Sequence, residues 1–117
     1  MRKIYFYKTA DGSCPVKTWL DSLPETAATK IGKVLELIRN MEVVTVQFFK
    51  HLKGTEFYEC RIFHVGNSYR LLGFFYENNL VVLTNGFAKK SRRTPKNESK
   101  LCKQRMKDFI ARGGTYD

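Results

Sequence analysis

A chain of 117 residues with 43% hydrophobic and 14% aromatic content can bury one core but not two, so it is read as a single domain over 1–117 and not as a disordered basic tail. Lys and Arg number 21 against 11 Asp and Glu, a formal charge of +10, which favours a polyanionic partner: nucleic acid, an anionic membrane surface or an acidic protein. No run approaches the roughly 20 apolar residues that span a bilayer, and the N-terminus lacks a signal peptide's apolar core. Cys14, Cys60 and Cys102 are odd in number, widely spaced and without a CxxC pair, which argues against a disulfide framework or zinc site and for a reducing cytoplasm. They read as small buried hydrophobes.

Lys3 to Lys8 alternates polar and apolar residues and predicts a first strand. Asp11-Gly12-Ser13 is a turn, after which Pro15 suits the first position of a short helix carrying Val16, Trp19, Leu20 and Leu23. Pro24 restarts the pattern, and Ala27, Ile31, Val34, Leu35 and Ile38 recur at helical spacing as the core stripe of a helix ending near Asn40. Val43 to Lys50 fits a buried loop or a short strand. Strands are then expected near Phe57–Phe63, Ser68–Tyr76 and Leu80–Phe87, with turns at Gly66-Asn67 and Asn78-Asn79, residues that tolerate positive φ. Thr94-Pro95 opens a final helix in which Thr94 can cap, Gly113-Gly114 closes it, and Leu101, Cys102, Met106, Phe109 and Ile110 form the apolar stripe. The order β-α-α-β-β-β-α predicts an α+β domain with its helices on one side of a mainly antiparallel sheet.

The strands carry cations. Arg61, Arg70 and Lys89-Lys90 each sit in or beside an apolar and aromatic run, where an unpaired buried charge costs several kcal/mol. If both hairpin turns hold two residues, Arg70 opposes Phe63 and Phe87, Arg61 opposes Leu72, Leu72 opposes Asn85, and Ser68 opposes Lys89. Arg61 and Arg70 are then diagonal neighbours, and Lys89 and Glu59 share their face. The other face would carry Tyr58, Cys60, Ile62, Tyr69, Leu71, Phe75 and Val82 and hold the helices. Such a cationic floor suits a phosphate backbone and points to RNA. The linking run Lys89-Lys90-Ser91-Arg92-Arg93 fits an RNA-contact loop, an antitoxin contact or soluble surface, of which RNA contact is favoured, with Lys50 as a further contact, whereas Lys30, Lys33, Lys100, Lys103, Lys107 and Arg112 read as solvated helix faces.

The segments Leu-Lys-Gly-Thr-Glu-Phe-Tyr-Glu-Cys-Arg-Ile from Leu52, Tyr-Arg-Leu-Leu from Tyr69, Leu-Val-Val-Leu-Thr-Asn-Gly-Phe-Ala-Lys-Lys from Leu80 and Thr94-Pro95, taken in order, resemble the RelE/ParE toxin superfamily, specifically its HigB-like and phage-derived branch. The resemblance implies a small curved sheet with two N-terminal helices and a terminal helix. It also implies the toxin of a type II toxin–antitoxin pair, a ribosome-dependent endoribonuclease that cleaves messenger RNA by attack of a ribose 2′-hydroxyl on the neighbouring phosphate, with no cofactor and no metal. Arg61 and Arg70 would clamp the phosphate, and Lys53, Lys89 and Lys90 would raise the positive potential around it. HigB-like members carry a histidine close to a catalytic lysine; His51 stands two residues before Lys53, one residue closer than in those members.

Glu59 is either a base or an ion-pair partner of the arginines. His64 falls on the face opposite Arg61 and reads as structural or exposed. A C-terminal tyrosine of the class could be Tyr116, with Tyr76 as the alternative. The implied partners are a neighbouring antitoxin of helix-turn-helix, HigA-like type, the ribosome and its messenger, with no membrane. ParE-like relatives that poison DNA gyrase, and a non-catalytic basic module for RNA or an acidic protein, are the other two function classes.

Overall fold

The alternating and helical patterns become eight elements in a computed structural model that describes residues 2–42, 48–77, 79–89 and 94–115. In chain order they are β1 (Lys3–Phe6), α1 (Pro15–Asp21), α2 (Glu25–Asn40), β2 (Phe49–His51), β3 (Tyr58–His64), β4 (Asn67–Tyr76), β5 (Leu80–Ala88) and α3 (Lys96–Ala111). The strands form one five-stranded sheet ordered β1-β5-β4-β3-β2. β1 runs parallel to β5 and the other three pairings are antiparallel, so this small α+β fold has an open, mixed sheet. β2 occupies the end of the segment that the sequence left between loop and strand: Phe49 is buried in it while Lys50 and His51 are exposed. Residues 43–47 of that segment lie outside the described residues.

The helices do not share one side of the sheet. Val16 of α1 and Ala27, Ile31, Val34, Leu35 and Ile38 of α2 pack on Cys60, Ile62, Tyr69, Leu71, Val81 and Leu83. Cys102, Met106 and Phe109 of α3 pack on the opposite face, against Leu72, Phe74, Leu80, Val82 and Phe87. The reason is the alternation itself: the cation-bearing face also presents Leu72, Phe74 and Phe87, and that apolar area is buried only if a helix covers it. α3 covers part of this face and leaves the cations beside its N-terminus.

Both hairpins differ from the expected turns. β3 and β4 are joined by Val65-Gly66, with φ of 48° and 74°, so both central residues adopt the left-handed geometry that matches strand twist. A β-branched residue in that region is an outlier, which is why the sequence favoured Gly66-Asn67. The pairing moves by two residues, and Arg61 stands directly opposite Arg70. An even shift leaves every side chain on its expected face.

In the second hairpin three residues separate Tyr76 from Leu80, with Glu77 at φ 56°. The extra residue is absorbed at Thr84: Leu72 pairs with Asn85 and Gly73 with Leu83, leaving Thr84 bulged. Arg70 therefore still opposes Phe87 as expected, but Val82 crosses to the α3 face instead of joining Cys60. Arg105 of α3 donates to the bulge's carbonyl, with Nη1 2.7 Å from Thr84 O.

Gly86 allows α1 to lie close on β5, since a Cβ there would fall 2.2 Å from Trp19 Cε3. At the end of α3, Gly113 turns left-handed at φ 86° and the Gly114 amide donates to Phe109 O at 2.9 Å, the closure expected of a glycine pair. Thr94 does not cap this helix. Pro95 occupies the N-cap position with no side-chain hydrogen bond, and the Thr94 hydroxyl turns toward the sheet.

Candidate anion-binding site

Three adjacent rows of the α3-side face build the site. Lys50, Glu59, Leu72 and Asn85 align across β2, β3, β4 and β5, and the next row is Arg61, Arg70 and Phe87. Phe63 and Ser68 begin the third row, which the Lys89 amide extends by donating to Ser68 O at 2.8 Å. Strand periodicity thus gathers the acid and three cations that the sequence placed on one face.

Glu59 is the hub. Its side chain is 1% exposed, and its Oε1 lies 3.6 Å from Arg61 Nε, 3.4 Å from Arg70 Nε and 3.6 Å from Lys89 Nζ. Its Oε2 accepts a hydrogen bond from Thr94 Oγ1 at 2.7 Å. The Arg70 and Lys89 side chains are 9% and 5% exposed, whereas Arg61 at 37% reaches solvent. Three cations therefore share one buried carboxylate, and these four groups carry a net charge of +2. Burial pushes the pKa values of Arg70 and Lys89 below their ordinary values, and Arg61 pushes them the same way, while Glu59 opposes the shift.

The nitrogens are not saturated. Arg61 Nε, Arg70 Nε and Arg70 Nη1 are enclosed and have no hydrogen-bond partner among the described residues. Buried guanidinium N–H groups are normally satisfied, because desolvating them without a partner is costly. An oxyanion with charge spread over several oxygens has the chemistry to accept from them and to balance the excess positive charge.

The remaining sequence candidates are dispersed. Lys50 is exposed at the sheet edge in register with Glu59, and Lys53 is exposed in the turn after β2. His51 pairs with Tyr58, on the alternation opposite Glu59, and its ring lies 5.1 Å from the Tyr58 ring. Its Nε2 sits 2.6 Å from Thr55 O, to which it donates, and it lines a cavity of about 440 Å³ with Thr55, Phe57, Lys103 and Met106. His64 is half-buried on the face away from the cations. Tyr76 packs edge-on against Phe109, with centroids 5.1 Å apart, within the α3 core. Lys90, Arg92, Arg93 and Tyr116 lie outside the described residues.

Thr94 was missed as a site residue because a threonine before proline has a sufficient reading as a helix cap. Phe63, 70% exposed beside Arg70, was missed because strand aromatics are ordinarily core. Among the described residues, no cluster of three or more His, Cys, Asp or Glu is placed to hold a metal ion, and no helix is long and apolar enough to cross a membrane.

No curated protein matches this chain. A family model does: that of the phage-derived protein Gp49-like (DUF891) matches residues 18–107, an interval that includes Glu59, Arg61, Arg70, Lys89 and Thr94. Since this interval covers most of the 117 residues, the chain belongs to the phage-derived Gp49-like family.

Proposed function

We propose that this protein is the toxin of a type II toxin–antitoxin pair and that it cleaves messenger RNA on the ribosome. The observation that carries the reading is the set of enclosed guanidinium nitrogens of Arg61 and Arg70, ion-paired to a single buried carboxylate yet without a hydrogen bond among the described residues. Membership of the Gp49-like family is compatible with a toxin role. The formal charge of +10 suits a partner made of ribosomal RNA.

In this reading the ribose 2′-oxygen attacks the adjoining phosphorus and the bond from phosphorus to the 5′-oxygen breaks. The proton leaves the 2′-hydroxyl and one is delivered to the departing 5′-oxygen. The products are a 2′,3′-cyclic phosphate and a free 5′-hydroxyl. Negative charge grows on the non-bridging oxygens in the transition state, where Arg61 and Arg70 stabilise it, with Lys89 behind them. Glu59 acts as a positioning residue: enclosed and engaged through both oxygens, it fixes the three cations. The reaction needs no divalent ion or cofactor, and the toxin works where messenger and ribosome are, held in check by an antitoxin of helix-turn-helix type.

The test is induced expression of the chain alone, followed by mapping of message ends. Growth arrest relieved by the neighbouring gene, with cyclic or 3′-phosphate and 5′-hydroxyl ends, supports the reading. Intact protein synthesis at verified expression overturns it. Arrest with intact messages and failed DNA supercoiling would assign the chain to gyrase poisoning instead.

A further inference from the structure

We propose that Phe63 is a stacking platform for an RNA base, seated beside the phosphate clamp so that the two together grip one stretch of single strand. The inference rests on the ribonuclease reading and adds to it a residue that recognises the base.

Phe63 is a large aromatic at the end of β3, and it is 70% exposed although its neighbours Ile62 and Tyr69 are buried. It stands on the same face as Arg61 and directly opposite Ser68. Arg70 Cζ lies 5.8 Å from the Phe63 ring centroid, so one side of the ring is engaged by a guanidinium that is itself packed against Glu59. Cation–π contact on that side steadies the ring without covering the other. The Ser68 hydroxyl adds an enclosed polar atom with no hydrogen-bond partner among the described residues.

Charge complementarity selects the occupant. A purely apolar partner would satisfy Phe63 and leave the Arg61 and Arg70 nitrogens without hydrogen bonds and their excess positive charge unbalanced, whereas a nucleotide brings a flat π-face and an oxyanion a few ångströms apart. Single strands are held in this way elsewhere, by aromatic platforms next to cationic tracks, and stacking tolerates any base.

The experiment is single-turnover cleavage of ribosome-bound messenger by the full chain, comparing Phe63→Leu with Phe63→Trp. Phe63→Leu keeps the apolar bulk and lacks the π-face, so half-maximal cleavage should require about 10-fold more toxin, while Phe63→Trp should recover most of that loss. A messenger carrying one abasic nucleotide, stepped across the cleavage point, should at one position weaken the parent and leave Phe63→Leu unaffected. If the parent cleaves and Phe63→Leu matches it on intact messenger, the platform is overturned while the nuclease stands. A Phe63→Leu defect that persists equally at every abasic position makes the ring a protein contact and also overturns it. A parent that cuts no message removes the ribonuclease reading itself.

Discussion

Arg61 and Arg70 face each other across β3 and β4, and Glu59 Oε1, 3.6 Å from one Nε and 3.4 Å from the other, holds these like charges in one row. Directly opposed like charges destabilise a sheet unless a counter-charge lies between them. The counter-charge here is buried, so its removal exposes the repulsion in a medium that screens poorly.

Glu59→Gln keeps the shape and an acceptor for Thr94 but deletes that charge. Breaking a buried ion pair from one side costs roughly 3 kcal/mol or more, so the variant's urea midpoint should fall by an equivalent amount. Phosphate in the buffer should restore part of the loss, because an oxyanion on Arg61 and Arg70 replaces the missing carboxylate by mass action. A variant as stable as its parent would mean that Glu59 does not hold the cluster together.

The two arginines should separate in their effects. Arg61 reaches solvent, so Arg61→Ala should fold normally and cut the single-turnover cleavage rate by about 100-fold, as the loss of one preorganised transition-state donor does. Arg70 is enclosed, and Arg70→Ala should lose stability as well as rate because Glu59 is left with fewer partners. An Arg61→Ala variant that folds and cleaves at the parental rate would place the proposed clamp elsewhere.

Much of this was legible from residues alone. Helices α1, α2 and α3 follow from Pro15, Pro24 and Pro95 and from apolar spacing, and the common face of Glu59, Arg61, Arg70 and Lys89 follows from period-two alternation. Three points were not legible. The left-handed Val65 turn contradicts the steric preference on which turn reading depends. The bulge at Thr84 is held by Arg105 from a helix more than twenty residues away, a tertiary contact with no local signature. α3 covers the second face because Leu72, Phe74 and Phe87 need covering, and weighing both faces of a strand requires knowing the pairing first. In the site, His51 stands two residues before Lys53 in sequence, yet strand pairing sends it toward Tyr58.

The thiols give a pH prediction. Burial pushes Cys60 up to about 12, above the ordinary thiol value of 9.0, with Arg70 opposing the shift. The unfolded chain releases this proton near the ordinary value and the folded chain retains it. Between the two values the folded state therefore binds more protons, and stability falls as pH rises; below the window the contribution is fully present. Each pH unit inside the window is worth about 1.4 kcal/mol. Cys60→Ala isolates the effect: less stable than the parent by about 1 kcal/mol at neutral pH, it should lose less on alkalinisation, and the gap should close. Parallel curves above pH 9 would mean that the thiol ionises freely in the fold.

Gly86 tests whether packing on the helical face can be changed without disturbing the cation face. A methyl at Gly86 would fall 2.2 Å from Trp19 Cε3 and 2.5 Å from Cζ3, so α1 or the indole must move. Overpacking of this kind costs about 1–3 kcal/mol. Gly86→Ala should therefore lower the urea midpoint in the parent and do so far less in a Trp19→Leu background, giving a coupling energy of about 1 kcal/mol or more. Gly86 opposes Leu71, on the face away from Glu59, and its neighbour Phe87 packs toward α3. Single-turnover cleavage by folded Gly86→Ala should accordingly stay within about threefold of the parent, since a distant, independent site adds little to the barrier. A rate loss as large as that of Arg61→Ala, in protein shown to be folded, would mean that the position of α1 is transmitted through the sheet to the clamp.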